Sequence, residues 1–231
     1  SNDTTYIKND TRAYIGKGAI VHTKYGIAVT ADHTTDITSA VVAGGFAGTA
    51  AFNGGVGVNK LRENVQAYVD DDAILSVDAA QDTKGKATLV NVSAKNTTKL
   101  SSGNGGAAIG ATAAGGGAAV TVNSIVKNTQ AFMGKNVIVY NNRTKDNKLS
   151  ITANNNEDIY SFVLQGSGGL YAGLAGAVDV NDLTVTTKAF TDTGAILIAG
   201  SVAVDAVHEL ALTGMVIGAS GGVGAIGAAV D

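Results

Sequence analysis

The chain has 231 residues, a formal charge of −3, no cysteine and no proline, and is 45% apolar but only 5% aromatic. Disulfides, thiol catalysis and Cys-based metal sites are therefore ruled out, and the lack of a basic stripe argues against phosphate-mediated nucleic-acid binding. So few large side chains under-supply a thick core of interdigitating residues, while the missing proline suits long ladders of backbone hydrogen bonds.

In chain order, Thr5, Ile7, Asp10 and Ala13-Tyr14 lead into the runs AIVHT (19–23) and IAVTA (27–31). A charge-free window, 37–59, closes on Asn59 and is followed by Leu61, Asn64, Ala67-Tyr68 and AILSV (73–77). The segment DAAQDTKGKAT (78–88) then precedes VNVSA (90–94) and a second charge-free window, 100–126. Asn123, Ile125, Asn128 and Ala131-Phe132 repeat the series, with VIVYN (137–141), the loop around 140–148 and LSITA (149–153). After the window 159–178 come Asn181, Leu183, Thr186, Ala189-Phe190, AILIA (195–199), VAVDA (202–206) and a final window, 210–230.

These correspondences divide one continuous segment, 1–231, into four repeats of about 58 residues, approximately 1–58, 59–122, 123–180 and 181–231. The runs alternate large apolar with polar or small residues and are rich in β-branched side chains, which predicts strands. Length varies mainly between the two blocks of each repeat, where a solenoid tolerates projecting turns. The expected fold is all-β, a parallel β-helix with about three coils of roughly 19 residues per repeat. About 12 such coils make a rod on the order of 55 Å long. In that arrangement Asn59, Asn123 and Asn181 lie about 14 Å apart, out of contact, and read as turn residues. Tyr14, Tyr68, Phe132 and Phe190 then read as four equivalent packing positions, separated by the same distance. The Gly/Ala windows either let the walls approach closely or leave a flat outer face. Helical repeats lack their capping signals here, and Gly, Asn, Ser and Thr dilute the windows too far for membrane-spanning helices.

The composite GxxxxVxVNxxxxNTxAYIGxGAxV…xVxVTA, assembled from the four copies, resembles repeats in the passenger regions of large Gram-negative autotransporter and filamentous-hemagglutinin-like adhesins. Thr5 and Thr186-Thr187 depart from it. The resemblance implies a right-handed β-helix, secreted to the cell surface of an outer-membrane-anchored parent, that supports or presents binding surfaces to host or neighbouring cells. It carries over no catalytic residue. Its partners would be surface proteins or glycans. The chain reads as a fragment of a longer protein, with both termini in mid-repeat, so open edges and end-to-end or lateral self-association are expected.

Candidate chemistry is sparse. His22, His33 and His208 fall at unrelated repeat positions, without zinc-ligand spacing, and read as surface residues. Asp70, Asp71, Asp72 and Asp78 resemble a calcium-binding cluster in composition, but other copies carry GKG, GKN and DTG there, which marks a solvated turn. Glu63, Glu157 and Glu209 each stand alone, without the paired carboxylates of glycoside cleavage. Gly105-Gly106 lacks the strand–GK[ST]–helix context of a phosphate loop. No catalytic, cofactor or metal site is assigned and no enzymatic activity is expected; the alternative is a carbohydrate-active β-helix enzyme whose site is built from loops 78–88 and 140–148.

Overall fold

The computed structural model describes residues 1–78, 89–141 and 147–231. In chain order the strands are β1 (Asn2–Ile15), β2 (Ile20–Thr23), β3 (Gly26–Ala47), β4 (Ala50–Val69), β5 (Ile74–Val77), β6 (Leu89–Gly110) and β7 (Ala114–Met133). They continue as β8 (Ile138–Asn141), β9 (Lys148–Gly169), β10 (Ala172–Thr191), β11 (Ile196–Ile198), β12 (Ser201–Gly221) and β13 (Gly224–Val230). Three parallel sheets result: A, ordered β1-β4-β7-β10-β13; B, ordered β11-β8-β5-β2; and C, ordered β12-β9-β6-β3. This is the parallel β-solenoid expected from the repeats, and each of the four charge-free windows runs from the end of a sheet C strand through a short corner into a sheet A strand.

The coil count differs from the expectation of three per repeat. Thr5 pairs with Asn59, Asn59 with Asn123, and Asn123 with Asn181. Each repeat is thus one very wide coil. Strands of 20–22 residues span about 70 Å at 3.3 Å per residue, and four coils rise only about 19 Å. The solenoid is a flattened plate, with sheets A and C as its broad walls and the short sheet B along one narrow edge. Nothing interrupts β7 or β10 with turn chemistry, so the chain has no reason to bend within them.

The correction reverses two sequence readings. The three asparagines are stacked neighbours inside the walls: Asn59 Nδ2 donates to Asn123 Oδ1 at 2.9 Å, and Asn123 Nδ2 to Asn181 Oδ1 at 2.8 Å. They form a ladder in mid-strand, not turns. Tyr14, Tyr68, Phe132 and Phe190 stack face to face on the outside, with centroids 5.2, 4.9 and 5.0 Å apart. They occupy equivalent positions as predicted, and they touch.

At the A-to-B corner, the same place in each coil is filled by Gly18, Asp72, Asn136 and Gly194, all with positive φ of 55–78°. Only glycine and the short polar residues enter this conformation readily, which explains GKG, DDD, GKN and DTG in one column. The carboxylates tie coil to coil. Asp71 Oδ1 accepts from the Lys135 amide at 2.8 Å, Asn136 Nδ2 donates to Asp72 Oδ1 at 3.1 Å, and Lys17 Nζ lies 3.5 Å from Asp72 Oδ2. The Asn136 hydrogen bond, aided by Lys17 and opposed by partial desolvation, lowers the pKa of Asp72. A folded-state value below the unfolded one means this stabilisation is present at neutral pH and is lost as pH falls through the acidic range. Asn136→Val should lower unfolding stability by about 1–2 kcal/mol, from the left-handed backbone penalty alone. Asn136→Gly should retain most of it, as thermal unfolding of the two variants would report.

Both readings of the Gly/Ala windows hold, for different residues. Facing inward, Gly117 leaves the space crossed by the Asn53–Gln165 amide bridge, and Gly115 lies against the Ala108 and Gly168 carbonyls, so the walls close where no Cβ fits. Facing outward, Gly44 and Gly103 leave the surface open.

Candidate functional site

Strand alternation sends every second side chain into the space between sheets A and C, and the interior is banded along the strands. Nearest sheet B lies an aliphatic core that includes Val65, Leu75, Val92, Val139 and Ile151. A second apolar band, Ile37, Leu61, Leu100, Ile125 and Ile159, crosses the middle. Between them runs a row of charge.

In that row Glu63, Lys127 and Glu157 have fully buried side chains. Lys127 Nζ lies 2.9 Å from Glu157 Oε1 and 3.6 Å from Glu63 Oε2. The outer carboxylate oxygens reach two histidines: His33 Nε2 is 3.5 Å from Glu63 Oε1, and His208 Nε2 is 2.6 Å from Glu157 Oε2. Thr35 and Thr98 donate to the two oxygens of Glu63 at 2.5 and 2.8 Å. The row therefore crosses the plate as His33–Glu63–Lys127–Glu157–His208. One lysine thus stands between two carboxylates, each of which also faces an imidazole nitrogen.

Three readings of the sequence change here. His33 and His208 occupy the same register column, through Asn96 and Asn155, and point inward; they are not incidental surface residues at unrelated positions. Glu63 and Glu157 are joined through Lys127, whereas Glu209 stays exposed, accepting from Asn156 at 3.4 Å. His22 remains on the surface, 2.9 Å from Asp78. Asp70, Asp71 and Asp72 sit in the stacked corner described above, where their oxygens are used by neighbouring backbone and side chains. Among the described residues no group of three His, Asp or Glu is arranged to hold a metal ion. The alternative catalytic loops lie largely outside the described residues, at 79–88 and 142–146.

A second inward polar band surrounds the asparagine ladder. Asp179 accepts from Ser161 and from Asn181 Nδ2, and Asn104 Nδ2 donates to the carbonyls of Gly55 and Val120 at 3.1 and 2.7 Å. Burial without such bonds would cost about 1–3 kcal/mol per group, so these polar side chains act as registration devices between coils.

The outer faces of the charge-free half are apolar. On sheet C, Val42 and Phe46 are about four-fifths exposed, and Leu164, Met215 and Ile217 are also in contact with solvent. A shallow groove runs along β6, floored by Gly103, Gly105 and Ala107 and flanked by Val42, Phe162 and Leu164. Its lining is almost wholly apolar, with Asn104 the one amide side chain among the lining residues. Comparison with family models, curated proteins and solved structures returns no match.

Proposed function

We propose that the chain is a structural, adhesive segment of a secreted bacterial surface protein, an autotransporter-type passenger displayed at the Gram-negative outer membrane. It presents or supports binding surfaces towards host or neighbouring cells. The supporting observation is the division of labour in the plate. Its strongest ionic cluster is sealed between the walls, where it fixes register, and its outer faces are broad, regular and continuous from coil to coil. Such a body extends by adding coils and offers area in place of a cleft. The sequence resemblance to adhesin passengers supports the same reading. Beads coated with the chain should be retained under flow on epithelial or bacterial cell layers above albumin-coated beads. No retention on any layer would contradict adhesion, and polysaccharide turnover abolished by substituting a carboxylate of loop 78–88 would move the function to an enzyme.

A further inference from the structure

We propose that two copies of this chain pair through the outer face of sheet C, about a twofold axis parallel to the strands and midway between β6 and β9. An isologous interface must be complementary to itself, and the register shows that this face is. The operation lays β6 of one copy over β9 of the other, and β3 over β12. Phe162 then faces the partner's Gly103, because Gly103 and Phe162 share one register row; Leu164 likewise faces the partner's Gly105. Two rows further along, Ile109 meets the partner's Gly168. On the flanks, Met215 lies over the partner's Ala40, and Phe46 over the partner's Gly221. Large side chains thus meet glycine or alanine in these rows, and only Val42 and the partner's Ile217 meet as equals.

Charge follows the same operation. In the polar half Lys99 faces the partner's Asp158, which creates two symmetry-related ion pairs. The remaining acids face neutral residues, for instance Asp36 over the partner's Ala211 and Glu209 over the partner's Thr34. Moving the axis onto β9 would set Phe162 and Asp158 against their own copies. Moving it onto β6 would set Lys99 against Lys99 and leave a void at Gly103.

On sheet A the Phe52 ring fills the space over Gly116, 2.8 Å from where a Cβ would stand, and the open positions Gly54 and Gly176 share a row with Ala118, so no large side chain stands in that row to fill a partner's hollow. At Gly103 a Cβ would meet only the Ser39 carbonyl oxygen, at 4.0 Å. The apolar half of sheet C, about ten residues by four strands, covers roughly 33 by 19 Å. Pairing buries about 1,300 Å² in total, within the range of specific interfaces. A bilayer fits this face less well, because β3 and β12 are edge strands and would carry unpaired backbone groups into hydrocarbon.

Sedimentation velocity of the whole chain, up to about 100 μM, tests the proposal. The expected species has twice the 23.0 kDa chain mass. Gly103→Arg should be monomeric with an unchanged β-type circular dichroism spectrum; if that variant does not fold, the double variant Phe162→Ser with Leu164→Ser takes its place. Lys99→Glu should weaken the dimer about tenfold, a loss of roughly 1.4 kcal/mol, and adding Asp158→Lys should restore it. A monomeric wild type overturns the proposal, as does a dimer that survives Gly103→Arg or is lost only on Val122→Arg in sheet A. A monomer that floats with phosphatidylcholine vesicles overturns it in favour of a lipid surface.

Discussion

Replacing Lys127 by methionine should cost about 3–5 kcal/mol of unfolding stability. The side chain is enclosed, and its ammonium is the cation lying between the carboxylates of Glu63 and Glu157. Removing it strands two buried negative charges in a medium where each carries a desolvation penalty of several kcal/mol. Methionine keeps most of the volume, so a cavity contributes little to the loss. The control is the triple variant Glu63→Gln, Lys127→Met, Glu157→Gln, which deletes every charge of the central group together. It should recover most of the lost stability, since replacing a whole buried ionic group is often neutral. Urea unfolding gives both numbers. A single variant as stable as the wild type would mean that the ammonium is not enclosed between those carboxylates.

The second large effect concerns the length of a coil. Val56 and Val120 share one register position in sheet A. Deleting 56–119 therefore joins Gly55 to Val120 and removes one complete turn of the solenoid while keeping every remaining strand in phase. It leaves Lys127 with Glu157 as a balanced pair. The shortened chain should fold, with a β spectrum and cooperative unfolding at a lower midpoint, because one nearest-neighbour stacking interface has been lost. Deleting 120–138, about a third of a repeat, should abolish folding. It removes most of one strand from sheet A and leaves its neighbours without partners.

The contrast between these deletions marks what was legible in the sequence. Strands, their parallel stacking and the equivalence of the four copies follow from period-two alternation and from anchored residues such as Ala67-Tyr68 and Ala131-Phe132. The coil count did not follow, because alternation has the same period in a short strand and in one of 20 residues. The available signal was negative: between Ala114 and Met133 the sequence has glycines but no corner chemistry of the GKG or DTG type. The buried ion row escaped for the same reason. Asn9, Glu63, Lys127 and Val185 share one repeat position, and Glu followed by Lys in a column is uninformative at 14 Å but an ion pair at coil spacing. His33 and His208 were alignable in the sequence, since each stands two residues beyond the matching blocks IAVTA (27–31) and VAVDA (202–206); what the sequence lacked was the coil spacing that brings their column against Glu63 and Glu157. The face of sheet C was visible as charge-free windows, yet which glycines pointed outward depended on the strand phase.

The central claim is that one repeat makes one coil, and the absence of cysteine permits a direct measurement of it. Nitroxide labels at Lys8→Cys and Thr184→Cys occupy outward positions joined through Arg62 and Val126, in the first and fourth coils. Dipolar electron resonance on the doubly labelled chain, diluted with unlabelled protein, reads their separation. The plate predicts a backbone distance of about 14 Å, three steps of the stack, broadened by the label arms. A distance near 43 Å, nine steps of the stack, would restore three coils per repeat and contradict the asparagine ladder, the ion row and the paired face together.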